Sequence, residues 1–238
     1  MKAVGIGIIG CGLRIRELLN ILPGLGSQVK VIALNDPRQD AVSDFMVQIA
    51  PDAKICKSYQ ELLNDSEVEW VMIGSWNCFH KDHIIDSFKA GKNVFCEKPL
   101  ATTVNDCIAI KKAYLHYRRQ FMIGFTLRYS PHYRRIKEII KKGTIGEIIS
   151  LEFNETLEFN HGGYIMADWR RLKRNAGTHL LEKCCHDIDI INWIVESRAK
   201  RVSSFGGLNF FKPENAFHID RIGKNEEKQD AYCTWSPS

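Results

Sequence analysis

The chain has 238 residues, of which 45% are hydrophobic and 26% charged, and its formal net charge is +5. These values are typical of a globular protein that buries one large core or two smaller ones. No apolar run approaches the roughly 20 residues that a membrane-spanning helix needs, and the N-terminus lacks a signal-peptide pattern, so we expect a cytoplasmic protein. The basic residues are interleaved with isoleucines at helical spacing, which argues against nucleic-acid binding.

The eight cysteines are scattered and include no Cys-x-x-Cys pair, so we expect reduced structural thiols. One stretch, residues 184–187, places two cysteines, a histidine and an aspartate in succession. Successive residues on a helix point in different directions and do not converge on one tetrahedral site. We therefore predict no metal site.

The first apolar segment, residues 4–9, predicts a strand that ends in a Gly-Cys-Gly turn and leads into a helix. The first glycine permits the turn and the second lets a phosphate approach the backbone amides. Ile15 replaces the third glycine of the dinucleotide fingerprint, which serves helix packing rather than phosphate contact. The residues predicted to contact a dinucleotide here are Gly10, Gly12, Leu13 and Arg14.

The second apolar segment, residues 29–34, ends near Asp36. An acidic residue at this distance from the glycine turn binds the adenosine ribose hydroxyls and repels the 2′-phosphate of NADP. Arg38 follows two residues later and would receive that phosphate instead, whereas Asp36 is also a typical turn residue before Pro37. The sequence therefore predicts NAD or NADP as the cofactor, with NAD preferred.

Strands and helices continue to alternate up to residue 125. The strands are predicted near residues 53–56, 68–74, 93–97 and 121–125, and the helices near 59–63, 80–90 and 104–117, the last capped by Thr103. This alternation predicts an α/β fold with a Rossmann-type, doubly wound parallel sheet. Ligands bind at the carboxyl ends of such strands, where residues 75–80 and 97–99 lie.

The pattern changes after residue 126. A helix is predicted over residues 131–142, and residues 149–159 and 202–210 alternate between apolar and polar, as in strands with one face in water. We expect an α+β domain with an open, largely antiparallel sheet, and we expect this domain to be incomplete. The predicted boundaries are 1–125 for a dinucleotide-binding domain and 126–238 for a substrate-binding and oligomerisation domain.

Polar side chains suited to a ligand recur in the second domain. The loop over residues 160–177 carries Tyr164 and Trp169 among hydrogen-bonding groups, as a polyhydroxylated ligand requires. An amphipathic helix follows, with Glu182, His186 and Asp189 on one face. A carboxylate one turn from a histidine orients the imidazole and raises its basicity, which suits proton transfer. The residues predicted to face the core are Leu181, Cys184, Cys185, Ile188 and Ile191.

Several motifs, in this order, resemble those of the Gfo/Idh/MocA family of oxidoreductases, which includes glucose-fructose oxidoreductase and inositol dehydrogenases. The motifs span residues 7–12, 77–80, 91–100, 124–131, 143–147 and 186–189. The resemblance implies a Rossmann domain followed by a domain whose open sheet binds substrate and often builds a homo-oligomer. It also implies that Lys98 is catalytic. The further contacts that we predict are Ser75, Asn77, His80 and Glu97 for the cofactor, and Arg128, Tyr164, Trp169 and Asp189 for the substrate.

The predicted reaction is hydride transfer between NAD or NADP and a secondary alcohol of a sugar, inositol or related polyol. Lys98, Glu182 and His186 are the predicted catalytic residues, with His186 as the proton acceptor. Glu182 stands where inositol-type members have aspartate, and Trp76 stands where proline is usual. Two alternatives remain open: a non-catalytic dinucleotide-binding regulator or truncated relative, and glycoside cleavage assisted by bound NAD.

Overall fold

The computed structural model describes residues 3–21, 28–157, 163, 165, 168–207, 209 and 212–217. The chain divides into two compact units, residues 1–126 with 172–185 and residues 127–171 with 186–238. None of the helices within the described ranges is long and apolar enough to cross a membrane.

The first unit is built on a parallel sheet of six strands. These strands are β1 (Val4–Ile9), β2 (Val29–Asn35), β3 (Lys54–Ile55), β4 (Trp70–Ile73), β5 (Asn93–Cys96) and β6 (Phe121–Ile123). Their order in the sheet is β3-β2-β1-β4-β5-β6, and every neighbouring pair is parallel. The order reverses direction at β1, so the carboxyl ends of β1 and β4 flank the crevice where such sheets bind ligands. The predicted Rossmann-type sheet is confirmed.

The sequence predicted a helix after β1 without bounds, none over residues 39–48, and three more near residues 59–63, 80–90 and 104–117, and the structure connects these strands with helices at all of these places. They are α1 (Leu13–Ile21), α2 (Gln39–Gln48), α3 (Tyr59–Leu63), α4 (His80–Lys89) and α5 (Val104–Tyr117). The Thr103 hydroxyl accepts a hydrogen bond from the Asp106 amide at 3.1 Å, which confirms the predicted cap of α5. Gly91, with φ of +77°, lies just beyond α4 and takes the left-handed conformation that ends many helices.

The helices cover both faces of the sheet. One cluster of buried side chains includes Phe88 and Ile110, and the other includes Phe45 and Ile15, all with 1% exposure or less. Two separate apolar layers are what a doubly wound sheet requires, because each face of a parallel sheet must be covered. This packing holds the strand ends, and hence the loops that follow them, in fixed positions.

Further helices within the described ranges are α6 (Pro131–Lys141), α7 (Lys173–Ala176) and α8 (His179–Val195). In the second unit, the Lys137 ammonium donates to the carbonyl oxygens of Trp193 and Ile194 at 2.6 and 3.3 Å. It also binds the Glu196 carboxylate at 2.6 Å. A cation at the end of α8 satisfies carbonyl groups that have no partner within the helix.

The open sheet predicted for the second domain is not formed by the residues described there. Residues 149–157 and 201–207 contain no strand, and residues 158–160, 208 and 210, where the predictions continue, lie outside the described ranges. Alternating side chains give a strand its two faces, but only hydrogen bonds to a neighbouring strand make it part of a sheet. Ile149 and Phe205 are 90% and 96% exposed, so the residues that the structure describes leave their apolar side chains uncovered.

Candidate active site

The turn after β1 has the geometry of a phosphate-binding turn. Gly10 has φ of +92°, and its N–H donates to the Asn35 carbonyl oxygen at 2.9 Å. A Cβ atom on Gly10 would lie 2.5 Å from the Ser75 nitrogen, so no larger residue fits. A Cβ on Gly12 would meet nothing nearer than the Gly74 carbonyl oxygen, at 3.9 Å. The predicted roles of these two glycines therefore fit the backbone: one closes the turn, and the other leaves open space above it.

The missing third glycine of the fingerprint is compensated by Gly74, which directly follows the neighbouring strand β4. Ile15 is fully buried, and its Cγ1 would lie 2.3 Å from a Cβ atom placed on Gly74. The side chain that would normally be absent from α1 thus occupies the space above the end of β4. Close packing of α1 on the sheet is retained, because the small residue at this contact is Gly74 after β4 rather than a glycine in α1.

Replacing Gly74 by alanine should lower the free energy of unfolding by about 1 to 3 kcal/mol, because the new methyl group would overlap Ile15. In a background with Ile15→Ala, Gly74→Ala should cost less than it does beside Ile15, since the atom that clashes is removed. Chemical denaturation of the single and double variants measures both values. Additive losses in the double variant would contradict the packing that we describe.

Asp36 is held by two backbone amides at the end of β2. Its Oδ2 accepts from the Cys11 amide and its Oδ1 from the Arg38 amide, both at 2.8 Å. The second bond is the turn that the sequence also allowed, whereas the first ties the carboxylate to the glycine turn. Arg38 itself is exposed at the start of α2. Asp36 therefore lies beside the candidate phosphate site, as the dinucleotide fingerprint requires.

Glu97 is a buried carboxylate that follows β5. It is 7% exposed, and its Oε1 lies 3.4 Å from the Nε of Arg14 on α1. A Cβ atom on Gly124 would lie 2.9 Å from Oε2, so the glycine after β6 makes room for this carboxylate. Burial raises the pKa of Glu97, although Arg14 and Lys98 act in the opposite direction. Arg14 also donates to the Thr126 hydroxyl at 3.2 Å, whereas Leu13 is 57% exposed.

The raised pKa of Glu97 predicts a specific pH dependence of stability. A carboxyl with a higher pKa in the folded chain binds its proton more tightly there, so stability falls as pH rises from its ordinary pKa through the raised one. Glu97→Gln lacks this contribution, so the Tm of the variant relative to the unmodified protein should rise as the pH increases above the ordinary pKa of a glutamate, about 4.5. Thermal unfolding measures the difference, with Glu17→Gln as an exposed control. A difference that stays constant or reverses would contradict the assignment.

His80 joins two loops through both of its ring nitrogens. The ring is fully buried, with Nδ1 2.8 Å from the Pro99 carbonyl oxygen and Nε2 3.0 Å from that of Ser75. Burial lowers its pKa, while the two carbonyl oxygens act in the opposite direction. The cofactor contact that we predicted for His80 stays a prediction. The ring links the loop after β4 to Pro99, the residue that follows the cis peptide bond between Lys98 and Pro99.

The predicted catalytic lysine lies in a network with two other polar side chains, Glu182 and Asn77. The Lys98 ammonium donates to the Glu182 carbonyl oxygen at 2.9 Å and lies 3.5 Å from Oε1 of the same residue. Asn77 donates to Glu182 Oε2 at 2.6 Å and to the Ala176 carbonyl oxygen at 3.0 Å. Asn77 and Glu182 are 4% and 7% exposed. The structure thus brings together a predicted cofactor contact and two predicted catalytic residues.

The predicted helix that carries Glu182 and His186 is confirmed as α8, but the predicted core face is wrong in part. Ile188 is 55% exposed, whereas Asp187 and Ile190 are buried. The spacing of apolar residues predicts which side of the helix is apolar. It does not predict that Glu182 is buried, because that burial depends on its contacts with Asn77 and Lys98. His186 lies one turn after Glu182 and is half-buried in the second unit.

Two of the predicted substrate residues bind each other. Arg128 donates from Nε and Nη2 to the two carboxylate oxygens of Asp189, each at 2.6 Å. The Arg128 guanidinium also lies 6.0 Å from the ring centroid of Trp193. Trp169 is covered by the Arg170 guanidinium at 4.4 Å. Tyr164 lies outside the described residues, so its predicted role is not tested.

Three residues in this region were missed by sequence reasoning. They are Gly74, Gly124 and His83. The two glycines carry no local signal, because each is small to make room for a side chain that is distant in sequence. His83 was read only as part of a helix, although a histidine three residues after His80 shares its face. Within the described ranges, no group of three His, Cys, Asp or Glu side chains is arranged to hold a metal ion.

Two family models match the chain in succession. The model for the oxidoreductase family with an NAD-binding Rossmann fold matches residues 4–125. The model for the Gfo/Idh/MocA C-terminal domain matches residues 133–233. Among solved structures, an NAD-binding protein from Listeria innocua is 26% identical, with a TM-score of 0.67. The matched region covers 83% of this chain and 56% of the Listeria chain. Levoglucosan dehydrogenase, solved with NADH and levoglucosan, shares the fold at 22% identity and a TM-score of 0.71, covering 81% and 54%.

Curated relatives include inositol 2-dehydrogenases. The protein of that name from Gluconacetobacter diazotrophicus is 32% identical over 196 residues, which are 81% of this chain and 55% of the relative. The one from Burkholderia multivorans is 31% identical, over 80% of this chain and 54% of its own length. The chain thus spans about half the length of the curated relatives it matches. On these matches, together with the Rossmann sheet and its glycine turn, the chain belongs to the Gfo/Idh/MocA family of oxidoreductases.

Proposed function

We propose that the protein is an NAD(P)-dependent oxidoreductase that acts on a secondary alcohol of a sugar, inositol or related polyol. The observation that carries this proposal is the Lys98 ammonium at the end of β5, held by the carbonyl and carboxylate oxygens of Glu182. A cation fixed at the carboxyl end of a Rossmann strand lies where substrate and nicotinamide meet in such sheets. The names of the inositol 2-dehydrogenase relatives support a polyol as the substrate class.

The glycine turn fits a dinucleotide. The space above Gly12 suits a phosphate, and Leu13 and Arg14 begin the helix whose N-terminus favours negative charge. Asp36, next to this turn, supports a ribose contact and hence a preference for NAD, whereas the exposed Arg38 is the group that would accept NADP. Ser75, Asn77, His80 and Glu97 complete the predicted cofactor contacts after β4 and β5. When bound, a nicotinamide dinucleotide supplies the two-electron oxidation.

Residues of the chain would accept the proton of the substrate hydroxyl and stabilise the negative charge on its oxygen. His186 is the proposed acceptor of the substrate hydroxyl proton, supported by its place one turn after Glu182 in α8. Lys98 stabilises the negative charge that develops on the same oxygen. Glu182, which binds Lys98 and Asn77, fixes the lysine, and we assign it the further role of orienting the imidazole of His186.

The second domain supplies the remaining parts of the proposal. We assign substrate contacts to Arg128, Tyr164, Trp169 and Asp189, with the Arg128–Asp189 pair acting as one recognition group. A bidentate pair of this kind presents its outer lone pairs and N–H groups to hydroxyls. We further propose a domain boundary at residues 125 and 126, and an open sheet after it that binds substrate and builds a homo-oligomer.

A two-step experiment tests this function. Calorimetric titration with NAD and NADP measures cofactor binding, and a panel of inositols and sugars is then read by nicotinamide absorbance. Reduction of NAD that depends on one polyol is the expected result. Binding without reduction across the panel would favour a dinucleotide-binding regulator, and product formation without net reduction would favour glycoside cleavage. Absence of binding to either dinucleotide would refute the proposal.

A further inference from the structure

We propose that His83 is a positioning residue for the cofactor, which orients the hydroxyl group of Ser75 toward a bound dinucleotide. The Nδ1 atom of His83 lies 2.9 Å from the Ser75 Oγ. His83 is on α4, and Ser75 follows β4 after one glycine. This inference rests on the proposed function, because it assigns a role within the same cofactor site.

Ser75 lies directly against the phosphate-binding turn. Its backbone nitrogen is 2.5 Å from where a Cβ atom on Gly10 would stand, so the two loops are in contact. Its carbonyl oxygen is 3.0 Å from the Nε2 of His80. The backbone of Ser75 is therefore fixed by one histidine of α4 and its hydroxyl by another. These contacts hold the Ser75 Oγ in one position beside the glycine turn.

The ring of His83 is itself held on several sides. It is 9% exposed, its centroid is 4.5 Å from that of the Tyr59 ring at an interplanar angle of 62°, and the Phe79 ring lies 6.1 Å away. The Tyr59 hydroxyl donates to Asp86 Oδ2 at 3.0 Å, which fixes the tyrosine in turn. Edge-to-face packing of this kind limits rotation of the imidazole. The hydrogen bond to Ser75 is therefore formed before any ligand binds.

The imidazole of His83 is neutral at neutral pH. Burial lowers its pKa to about 4, with a further lowering from His80, although Asp82 and Asp86 act in the opposite direction. A neutral imidazole has one donor and one acceptor nitrogen. If Nδ1 accepts the Ser75 proton, the hydroxyl oxygen faces a ribose hydroxyl as an acceptor. If Nδ1 donates, the Ser75 O–H is left to donate to a phosphate oxygen.

With either tautomer of His83, the hydrogen bond to Ser75 would increase dinucleotide affinity for the same reason. A serine hydroxyl that rotates freely must be ordered when the ligand binds, and this ordering opposes binding. A hydroxyl already fixed by His83 avoids that loss. The competing explanation is that His83 only fills space between α3 and α4. The two explanations differ in whether the effect of His83 on dinucleotide affinity passes through Ser75.

A double-mutant cycle separates them. His83→Phe keeps the ring that packs on Tyr59 and removes the nitrogen, whereas His83→Asn places an amide atom near the position of Nδ1. We expect His83→Phe and Ser75→Ala each to weaken NAD binding about five-fold, the effect of one hydrogen bond. The double variant should be no weaker than Ser75→Ala alone, and His83→Asn should bind within about twofold of the unmodified protein. Calorimetry or nucleotide fluorescence gives the Kd values, and Tm checks folding.

Three results would overturn the inference. An unchanged Kd for a folded His83→Phe, or single effects that multiply in the double variant, would remove the role of His83 while leaving the proposed function intact. Failure of the unmodified protein to bind NAD or NADP would remove both proposals together. If His83→Phe does not fold, His83→Leu replaces it in the same cycle with the same criteria.

Discussion

Replacing Lys98 by methionine should lower turnover by about 10² to 10⁴-fold, because the cation that stabilises charge on the reacting oxygen is removed. Methionine has nearly the length of lysine, so the space between β5 and α8 stays filled. The Kd for NAD should change by less than about threefold, since Lys98 binds Glu182 rather than the glycine turn. Steady-state rates on the polyol found in the panel, together with calorimetry, measure the two effects separately.

Two companion variants sharpen this test. Lys111→Met changes an exposed lysine on α5 and should leave turnover unchanged. Lys98→Arg keeps the positive charge in a bulkier, planar group, so it should retain the ion pair with Glu182 but lose most of the activity. Normal turnover in Lys98→Met would refute the catalytic assignment. Equal losses of turnover and of dinucleotide affinity would instead make Lys98 a cofactor-binding residue.

The fold of the first unit was predictable because its signals are local. Each strand of a sheet covered on both faces is a short apolar run, and such runs alternate here with helices that have clear stops. Thr103 and Gly91 mark helix ends through chemistry that lies within a few residues. Strand lengths were less predictable, because β3 and β6 end where pairing ends rather than where the apolar run ends.

The second unit was less predictable, because whether an alternating segment forms a strand depends on partners that are distant in the sequence. Residues 149–157 alternate as a strand would, but alternation alone does not supply hydrogen bonds. The orientation of α8 shows the same limit in a helix. Its apolar residues suggested one buried face, yet Glu182 is buried by its bonds to Lys98 and Asn77, and Ile188 is exposed.

The sequence predicted which residues form the candidate site, but it did not predict which of them contact each other. Lys98 was singled out by family resemblance and Glu182 by its place on one face of a predicted helix, and the structure brings them within 3.5 Å. That Asn77 binds Glu182, and that Ile15 is accommodated by Gly74, follows from packing between elements far apart in the chain. Glutamate in place of aspartate is informative here, because the longer side chain reaches both Lys98 and Asn77 from α8. We expect the shorter aspartate to bind only one of them.

Replacing Asp36 by asparagine should shift the preference between NAD and NADP by about 10- to 100-fold toward NADP. The carboxylate beside the glycine turn repels a 2′-phosphate and accepts hydrogen bonds from ribose hydroxyls, and asparagine removes the charge while keeping the shape. Arg38 remains exposed two residues away to receive the phosphate. The ratio of the two Kd values, from calorimetry, measures the shift.

The same variant also has a structural effect that must be separated from the electrostatic one. Asp36 accepts the amides of Cys11 and Arg38 on different oxygens, and asparagine has only one acceptor oxygen, so one bond is lost. We expect a stability loss of about 1 kcal/mol, which would weaken both dinucleotides equally if the turn loosens. Asp40→Asn, in the first turn of α2, changes a nearby charge without such bonds and should leave the ratio unchanged. Equal weakening of NAD and NADP in Asp36→Asn would therefore assign Asp36 to the turn alone, and a preference of the unmodified protein for NADP would reverse the cofactor prediction.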